Sequence, residues 1–145
     1  MYFLCNQDPT APQCDSKDKA FRLLYITDFS GNSRQLTFAD DFEPCADSPF
    51  PQLVDTWAPA WSPDGSKIAF TNCSNLYSIQ PDGSNLRQLS NSAYSPRWSP
   101  DGMWIIFIHN NDVLTRVSSD GSTLEEIGRL PYWSGPFSIG PLVNP

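Results

Sequence analysis

Short apolar segments alternate with turn residues along this chain, and the same order of segments occurs twice. Asp-Gly pairs flanked by alternating apolar positions predict tight hairpins, because Asp and Gly tolerate the positive φ that such turns need. Each repeat therefore predicts four short strands joined by turns. The predicted strands are residues 58–61, 68–71, 76–79 and 86–89 in the first repeat, and residues 95–98, 104–108, 113–117 and 124–127 in the second.

A pentapeptide marks each repeat. Trp-Ser-Pro-Asp-Gly occupies residues 61–65 and returns intact at residues 98–102, a spacing of 37 residues (98 − 61). A period of 20–50 residues indicates a repeat architecture, and about 40–45 residues per four-stranded unit is typical of β-propeller blades. We predict that the two Trp rings pack between adjacent sheets and that the Asp-Gly pairs form turns. The residues that define the repeat are Trp61, Asp64, Gly65, Trp98, Asp101 and Gly102.

These segments resemble the TolB-type, WD-like β-propeller repeat. The resemblance rests on the two pentapeptides, the Ile-Ala-Phe strand at residues 68–70, the Leu-Tyr pair at residues 76–77 and the Arg-Gln-Leu ending at residues 87–89. It covers roughly residues 20–130. The resemblance implies an all-β chain of four-stranded blades packed around an axis. It also implies a propeller that serves as a protein-interaction platform or as the gating domain of a peptidase.

The ends of the repeat region depart from this pattern. Residues 21–37 match only the last two strands of a repeat, and an acidic, proline-rich insertion follows at about residues 38–56. Residues 133–139 look like a degraded third copy, 35 residues after Trp98 (133 − 98). We therefore predict two full blades and two half blades, an incomplete or oligomer-completed propeller, since closed propellers typically have four to eight blades.

Three arrangements would complete such a propeller. In the first, two chains form one ring with two-fold symmetry. In the second, the chain is a fragment of a longer protein. In the third, the strand edges at both ends join copies head to tail, and a filament forms when this contact does not close into a ring. Residues 1–20 are not repeat-like, and we interpret them as an N-terminal arm or a locally stapled tail. The repeat domain is then residues 21–145.

Charge and cysteine content narrow the class of protein. The net charge is −7, from 9 basic and 16 acidic residues, and no run of Lys or Arg offers the basic surface that nucleic acid needs. An even number of irregularly spaced cysteines, with no zinc-type spacing, favours disulfides and an extracellular or periplasmic location over free thiols in the cytosol. Three pairings exist, and we favour Cys5–Cys14 and Cys45–Cys73.

Membrane and secretion signals are weak. No stretch approaches the roughly 20 apolar residues of a membrane span, and residues 1–4 are too short for the core of a signal peptide. Asn72 begins an Asn-Cys-Ser sequon and is a candidate N-glycosylation site. Tyr132 and Trp133 fall outside the regular pattern and are a candidate exposed patch for a protein interface or a carbohydrate.

No catalytic signature is present in the sequence. His109 is the only histidine, and it follows an apolar strand as a strand-end polar residue. There is no Gly-x-Ser-x-Gly elbow and no phosphate-binding loop. Each Asp-Gly turn supplies one carboxylate, whereas calcium needs six to eight converging oxygens, so we predict neither a metal nor a cofactor.

The sequence therefore leads to three hypotheses. The first is a non-enzymatic β-propeller repeat protein that acts by protein interaction or self-assembly outside the cytoplasm, as a homo-oligomer or a head-to-tail assembly. The second is a lectin-like domain that binds a carbohydrate through Tyr132, Trp133 and the acidic insertion. The third is a propeller fragment of a larger peptidase or receptor kinase.

Overall fold

The computed structural model describes residues 2–4, 21–43, 45 and 54–131. Within these residues the chain is all-β, as predicted, with one short 3-10 turn at Ala39–Asp41. The strands are β1 Tyr2–Leu4, β2 Phe21–Thr27, β3 Ser33–Gln35, β4 Val54–Trp61, β5 Ile68–Asn72, β6 Asn75–Ile79, β7 Arg87–Ser90, β8 Ala93–Trp98, β9 Trp104–His109, β10 Val113–Ser118 and β11 Leu124–Arg129.

The chain divides into two compact units, Met1–Trp57 and Ala58–Pro145. In the first unit, β2 pairs antiparallel with β1 and with β3, and the start of β4 runs parallel to it. Residues 2–4 lie within the predicted arm, so this part of the arm forms a strand. Leu24 and Leu36 are buried in this unit, and the Leu24 amide donates to the Thr37 hydroxyl at 2.9 Å.

Two groups of four consecutive strands follow, here named the first blade (β4 to β7) and the second blade (β8 to β11). The first blade belongs to a seven-stranded sheet that also contains β1, β2 and β3, and the second blade is a four-stranded sheet of its own. Consecutive strands are neighbours in each blade, because short turns link them. The strands lie within a few residues of the predicted positions. These four-stranded sheets resemble propeller blades, which confirms the predicted fold class.

An apolar core joins the two blades. Period-two alternation directs Ile105, Phe107 and Val117 of the second blade to one face of the sheet, and all three are fully buried. They cluster with Ala69 and Leu76 of the first blade. Burying a large apolar side chain contributes about 1.5–3 kcal/mol, so this cluster is the main source of cohesion between the blades.

The strands β4 and β8 carry the same backbone irregularity. Ala58 and Ser95, 37 residues apart (95 − 58), both have positive φ, at 50° and 51°. The register of β8 against β9 shifts between Tyr94 and Arg97, which marks a bulge. Pro96 lies inside β8, at the bulge where a ladder hydrogen bond is interrupted and its missing N–H is tolerated.

Candidate functional site

The Trp-Ser-Pro-Asp-Gly segments form tight turns closed by a serine and an aspartate. In the first copy, the Ser62 hydroxyl donates to Asp64 Oδ1 at 2.6 Å, and the same oxygen accepts the Ser66 amide at 3.0 Å. The Ser62 hydroxyl oxygen accepts the Lys67 amide at 2.9 Å. Gly65 supplies the left-handed backbone that the turn needs, with φ at 71°.

The second copy repeats this network, and the turn between β10 and β11 has it too. The Ser99 hydroxyl donates to Asp101 Oδ1 at 2.5 Å and accepts the Trp104 amide at 2.9 Å. In the third turn, the Ser118 hydroxyl donates to Asp120 Oδ1 at 2.6 Å. The shared element is a serine two residues before the aspartate, so these carboxylates serve to close turns.

These hydrogen bonds also keep the turn carboxylates ionised. The Ser62 hydroxyl, followed by the amide and hydroxyl of Ser66, lowers the pKa of Asp64 to about 2. The Ser99 hydroxyl, followed by the Met103 amide, lowers the pKa of Asp101 in the same way. Each carboxylate therefore binds groups of its own turn, which leaves it poorly placed to ligate a metal.

We expect Ser62→Ala to raise the pKa of Asp64 toward its ordinary value, because the largest stabilising hydrogen bond to the carboxylate is lost. A group whose pKa is depressed in the folded state stabilises the fold above its unfolded pKa, near 4, and this contribution is lost as the pH falls through the folded value. The pH dependence of stability between about 4 and 2 should therefore flatten in the variant. A carboxyl NMR titration measures the shift. Asp101, which has its own serine, is the internal control, and an unchanged Asp64 would contradict the role of Ser62.

The expected absence of a metal site and of a catalytic histidine stays a prediction. No three His, Cys, Asp or Glu side chains among residues 2–4, 21–43, 45 and 54–131 group closely enough to hold a metal ion. His109 ends β9 and stacks on Phe107 with ring centroids 6.3 Å apart. No helix in these residues is both long and apolar enough to span a membrane.

Among the described residues, three side-chain donors and the Ala93 amide, which donates to the Ser74 carbonyl at 2.6 Å, link the two blades. Lys67 Nζ donates to the Ser119 carbonyl at 2.8 Å, and the Arg87 guanidinium donates to the Asp120 carbonyl. Both carbonyls belong to the turn between β10 and β11. On β8, the Trp98 indole N–H donates to the carbonyl of Ala60 at 3.0 Å. The second blade is thus fixed against the first by its turn and by its tryptophan.

Glycine 121 allows this turn to approach the first blade closely. A Cβ at Gly121 would lie 2.8 Å from Leu89 Cδ2 and 3.4 Å from the Arg87 guanidinium carbon. By contrast, a Cβ at Gly65 would meet nothing within 4 Å. The two glycines share a positive φ, but only Gly121 is also required by packing.

The two repeat tryptophans differ in environment. Trp98 is 9% exposed and belongs to the core between the blades, as the sequence leads one to expect. Trp61 is 48% exposed, so the expectation that both rings are packed is wrong for Trp61. An identical pentapeptide cannot reveal this difference, because it depends on what lies against each blade.

Sequence reasoning did not identify Lys67, Arg87 or Gly121 as contact residues. A position-by-position comparison of the repeats contains a signal, because Lys67 and Arg87 are replaced by Trp104 and Glu125 at the equivalent positions 37 and 38 residues later (104 − 67 and 125 − 87). A change of residue type at an otherwise regular position indicates that the two blades meet different neighbours.

Of the four cysteines, two lie among the described residues. Cys45 and Cys73 are both disulfide-bonded, which supports the prediction of disulfides. Cys73 and Ser74 form the two-residue turn between β5 and β6 with φ of 49° and 68°. Two-residue turns with positive φ favour Asn or Gly, so the backbone conformation does not explain a cysteine at this position, whereas its disulfide bond does. Cys5 and Cys14 lie outside the described residues, and the Cys45–Cys73 pairing stays a prediction.

The remaining candidate positions have mixed outcomes. Asn72 is 1% exposed, so the folded chain does not present it to a glycosylating enzyme, and a glycan there requires attachment before folding. Tyr132 and Trp133 lie outside the described residues, and their role as an exposed patch stays a prediction. Most of the insertion at residues 38–56 also lies outside them.

Solved structures share this fold. A TolB candidate from Agrobacterium tumefaciens superposes with a TM-score of 0.54 at 24% identity, over 74% of this chain and 38% of that one. TolB from Acinetobacter baumannii gives 0.52 at 17% identity, over 74% and 26%. An oligogalacturonate lyase in complex with manganese gives 0.51 at 18% identity, over 75% and 30%. The fold is that of a TolB-like β-propeller.

These similarities concern the fold alone, because the identities are low. The chain spans between 26% and 38% of the length of these three structures. No protein-family model matches the sequence, and no curated protein matches it either. The four-stranded sheets therefore correspond to propeller blades, while the TolB-like fold by itself assigns no activity, substrate or partner to this chain.

Proposed function

We propose that this chain is a non-enzymatic β-propeller-type module that acts by self-association outside the cytoplasm. The observation that carries the proposal is a difference between equivalent positions of the two blades. Leu89 of the first blade packs against the core between the blades. Ile127 occupies the same position in the second blade, 38 residues later (127 − 89), and is 43% exposed. The second blade thus presents the apolar anchor that, in the first, binds a neighbouring blade.

Two further features support the proposal. Blades are units that bury their faces against other blades, and the contact within this chain shows which side chains do so. Disulfide-bonded Cys45 and Cys73 are typical of proteins in oxidising compartments, which supports a location outside the cytoplasm. The turn carboxylates are bound within their own turns, which supports a role without catalysis.

Sedimentation velocity of the non-reduced chain over a wide range of protein concentration tests the proposal. We expect species larger than the monomer that increase with concentration. Non-reducing gel electrophoresis should show monomers only, so that the association is non-covalent. A chain that stays monomeric at every concentration would overturn self-association. Binding to carbohydrate by such a monomer would favour the lectin-like hypothesis instead.

A further inference from the structure

A backbone hydrogen bond that begins the contact between the two blades occurs again after the second blade. Between the blades, the Ala93 amide at the start of β8 donates to the Ser74 carbonyl at 2.6 Å. At the equivalent positions, 37 and 38 residues later (130 − 93 and 112 − 74), the Leu130 amide donates to the Asp112 carbonyl at 2.7 Å. From Ala93, β8 continues into the core between the blades and carries Trp98 there. The chain therefore leaves Leu130 as it would at the start of a further repeat.

The side of the second blade that points away from the first blade, here named the far face, carries an apolar patch. In β9, Ile105 and Phe107 belong to the core between the blades, so alternation directs Ile106 and Ile108 to the far face. Leu114 of β10 is the cross-strand partner of Ile108, and the register of these two strands has no bulge. Partners in adjacent strands share a face, so Leu114 lies on it too. We name Ile106, Ile108 and Leu114 the far patch.

The far patch is covered at its centre. Ile108 is 0% exposed, and Ile106 and Leu114 are half-buried. Side chains on an open sheet face keep part of their surface in water, so the full burial of Ile108 requires another layer over it. In the first blade, the equivalent positions lie under the second blade. These positions are Ala69, Thr71 and Leu76, 37 or 38 residues earlier (106 − 69, 108 − 71 and 114 − 76).

The other part of the far face is polar, and its side chains bind one another. The Arg116 guanidinium lies 4.1 Å from the centroid of the Trp104 ring, and its Nη2 lies 2.6 Å from Glu125 Oε2. Trp104 and Glu125 stand where Lys67 and Arg87 of the first blade hold the carbonyls of the β10–β11 turn. An ionised glutamate has no donor for a carbonyl, so this part cannot hold the outer strands of a further blade in the same way. Only the far patch repeats the inner part of the contact.

We infer that residues 132–139 of the same chain lie over the far patch, as the first strand pair of a third repeat. These residues lie outside the described ranges and follow Leu130 almost directly, so the chain already arrives beside Leu114 and Ile108. Their sequence resembles the first two strands of a repeat, which is the part that the far patch can seat. The large apolar and aromatic residues available are Tyr132, Trp133, Phe137 and Ile139.

The inference does not rest on the proposed self-association, and it bears on the alternative function. Tyr132 and Trp133 now pack against their own second blade, so they do not form an exposed platform for a carbohydrate. The far patch is likewise occupied by the chain itself, and copies of the chain associate through other surfaces.

Methyl NMR spectroscopy of the intact, non-reduced chain tests the inference. We expect NOE contacts between the methyl groups of Ile108 and Leu114 and ring protons of residues 132–139, with upfield methyl shifts caused by the rings. Trp133→Ala and Phe137→Ala should remove these shifts in part, whereas Ile105, on the other face of β9, is the matched control and should be unaffected. Contacts of the Ile108 methyl groups with residues 5–20 or 44–53 in place of residues 132–139 would overturn the inference.

An equal mixture of methyl-labelled and unlabelled chains distinguishes one copy from two. We expect isotope-filtered spectra of this mixture to show no contact between the far patch and the rings of another copy. Contacts found only between copies would overturn the inference and support self-association instead. Sedimentation velocity decides self-association separately, so either proposal can fail while the other stands.

Binding of the dye ANS gives a second readout. The double variant Trp133→Asp, Phe137→Asp is expected to uncover the far patch and to raise ANS fluorescence several-fold, because the dye binds exposed apolar surface. Far-UV circular dichroism establishes that the blades remain folded. Leu124→Asp is the control, since it adds a carboxylate at a side chain that is already exposed and should leave the dye signal unchanged. A folded double variant with the dye signal of the wild type would contradict the inference.

Discussion

Trp98→Ala is expected to lower the free energy of unfolding by about 3–5 kcal/mol, and Trp61→Ala by about 1–2 kcal/mol. Both residues begin the same pentapeptide, so the local sequence is matched. Trp98 is 9% exposed and packs in the core between the blades, whereas Trp61 is 48% exposed. The cavity and the lost burial therefore arise mainly at Trp98.

Trp98→Phe separates the ring from its hydrogen bond. This variant keeps an aromatic ring in the core but leaves the carbonyl of Ala60 without the indole donor at 3.0 Å. Leaving an acceptor in a partly buried site without its donor costs at most about 1–3 kcal/mol, so we expect Trp98→Phe to lower the free energy of unfolding by less than Trp98→Ala does. Chemical denaturation followed by far-UV circular dichroism, at a fixed protein concentration, measures all three variants. Equal losses for the Trp98 and Trp61 alanine variants would contradict the different packing of the two rings.

Much of the second unit follows from the sequence because its determinants are local. The spacing of apolar positions and the Asp-Gly pairs fix strand pairs whose partners lie close in the chain. The Ser-Pro-Asp-Gly turns close on themselves, with Asp64 bound to Ser62 only two residues away. Tight turns of this kind carry their own hydrogen-bond partners, so their structure can be predicted without knowledge of the fold around them.

The features that sequence analysis did not predict depend on distant partners. The contact of Lys67 with Ser119 joins residues 52 positions apart, and nothing near either residue indicates it. The strand Tyr2–Leu4 pairs with β2 across a long separation, and its sequence has no repeat pattern. The positive φ of Ala58 and Ser95 could not be predicted either, because residues other than glycine rarely adopt it. Its occurrence at equivalent positions of β4 and β8 shows that it is a regular feature of the blade.

Gly121→Ala is expected to destabilise the chain by about 2–4 kcal/mol, compared with about 1 kcal/mol for Gly65→Ala. Both glycines have φ at 71°, so the strain that a side chain meets in the left-handed region is the same. At Gly121 the new Cβ would also lie 2.8 Å from Leu89 Cδ2. Leu89 is half-buried and packs against the core between the blades, so turning its side chain away from the new Cβ gives up part of that packing.

A double-mutant cycle with Leu89→Ala isolates the steric part of this effect. Truncating Leu89 removes the atom that the new Cβ would meet, so Gly121→Ala should cost no more in that background than Gly65→Ala does in the wild type. The loss of Leu89 itself is measured in the single variant and subtracted. Denaturation midpoints of the four chains give the coupling energy, which we expect to be about 1–3 kcal/mol. A coupling energy near zero would mean that the turn between β10 and β11 does not pack against Leu89.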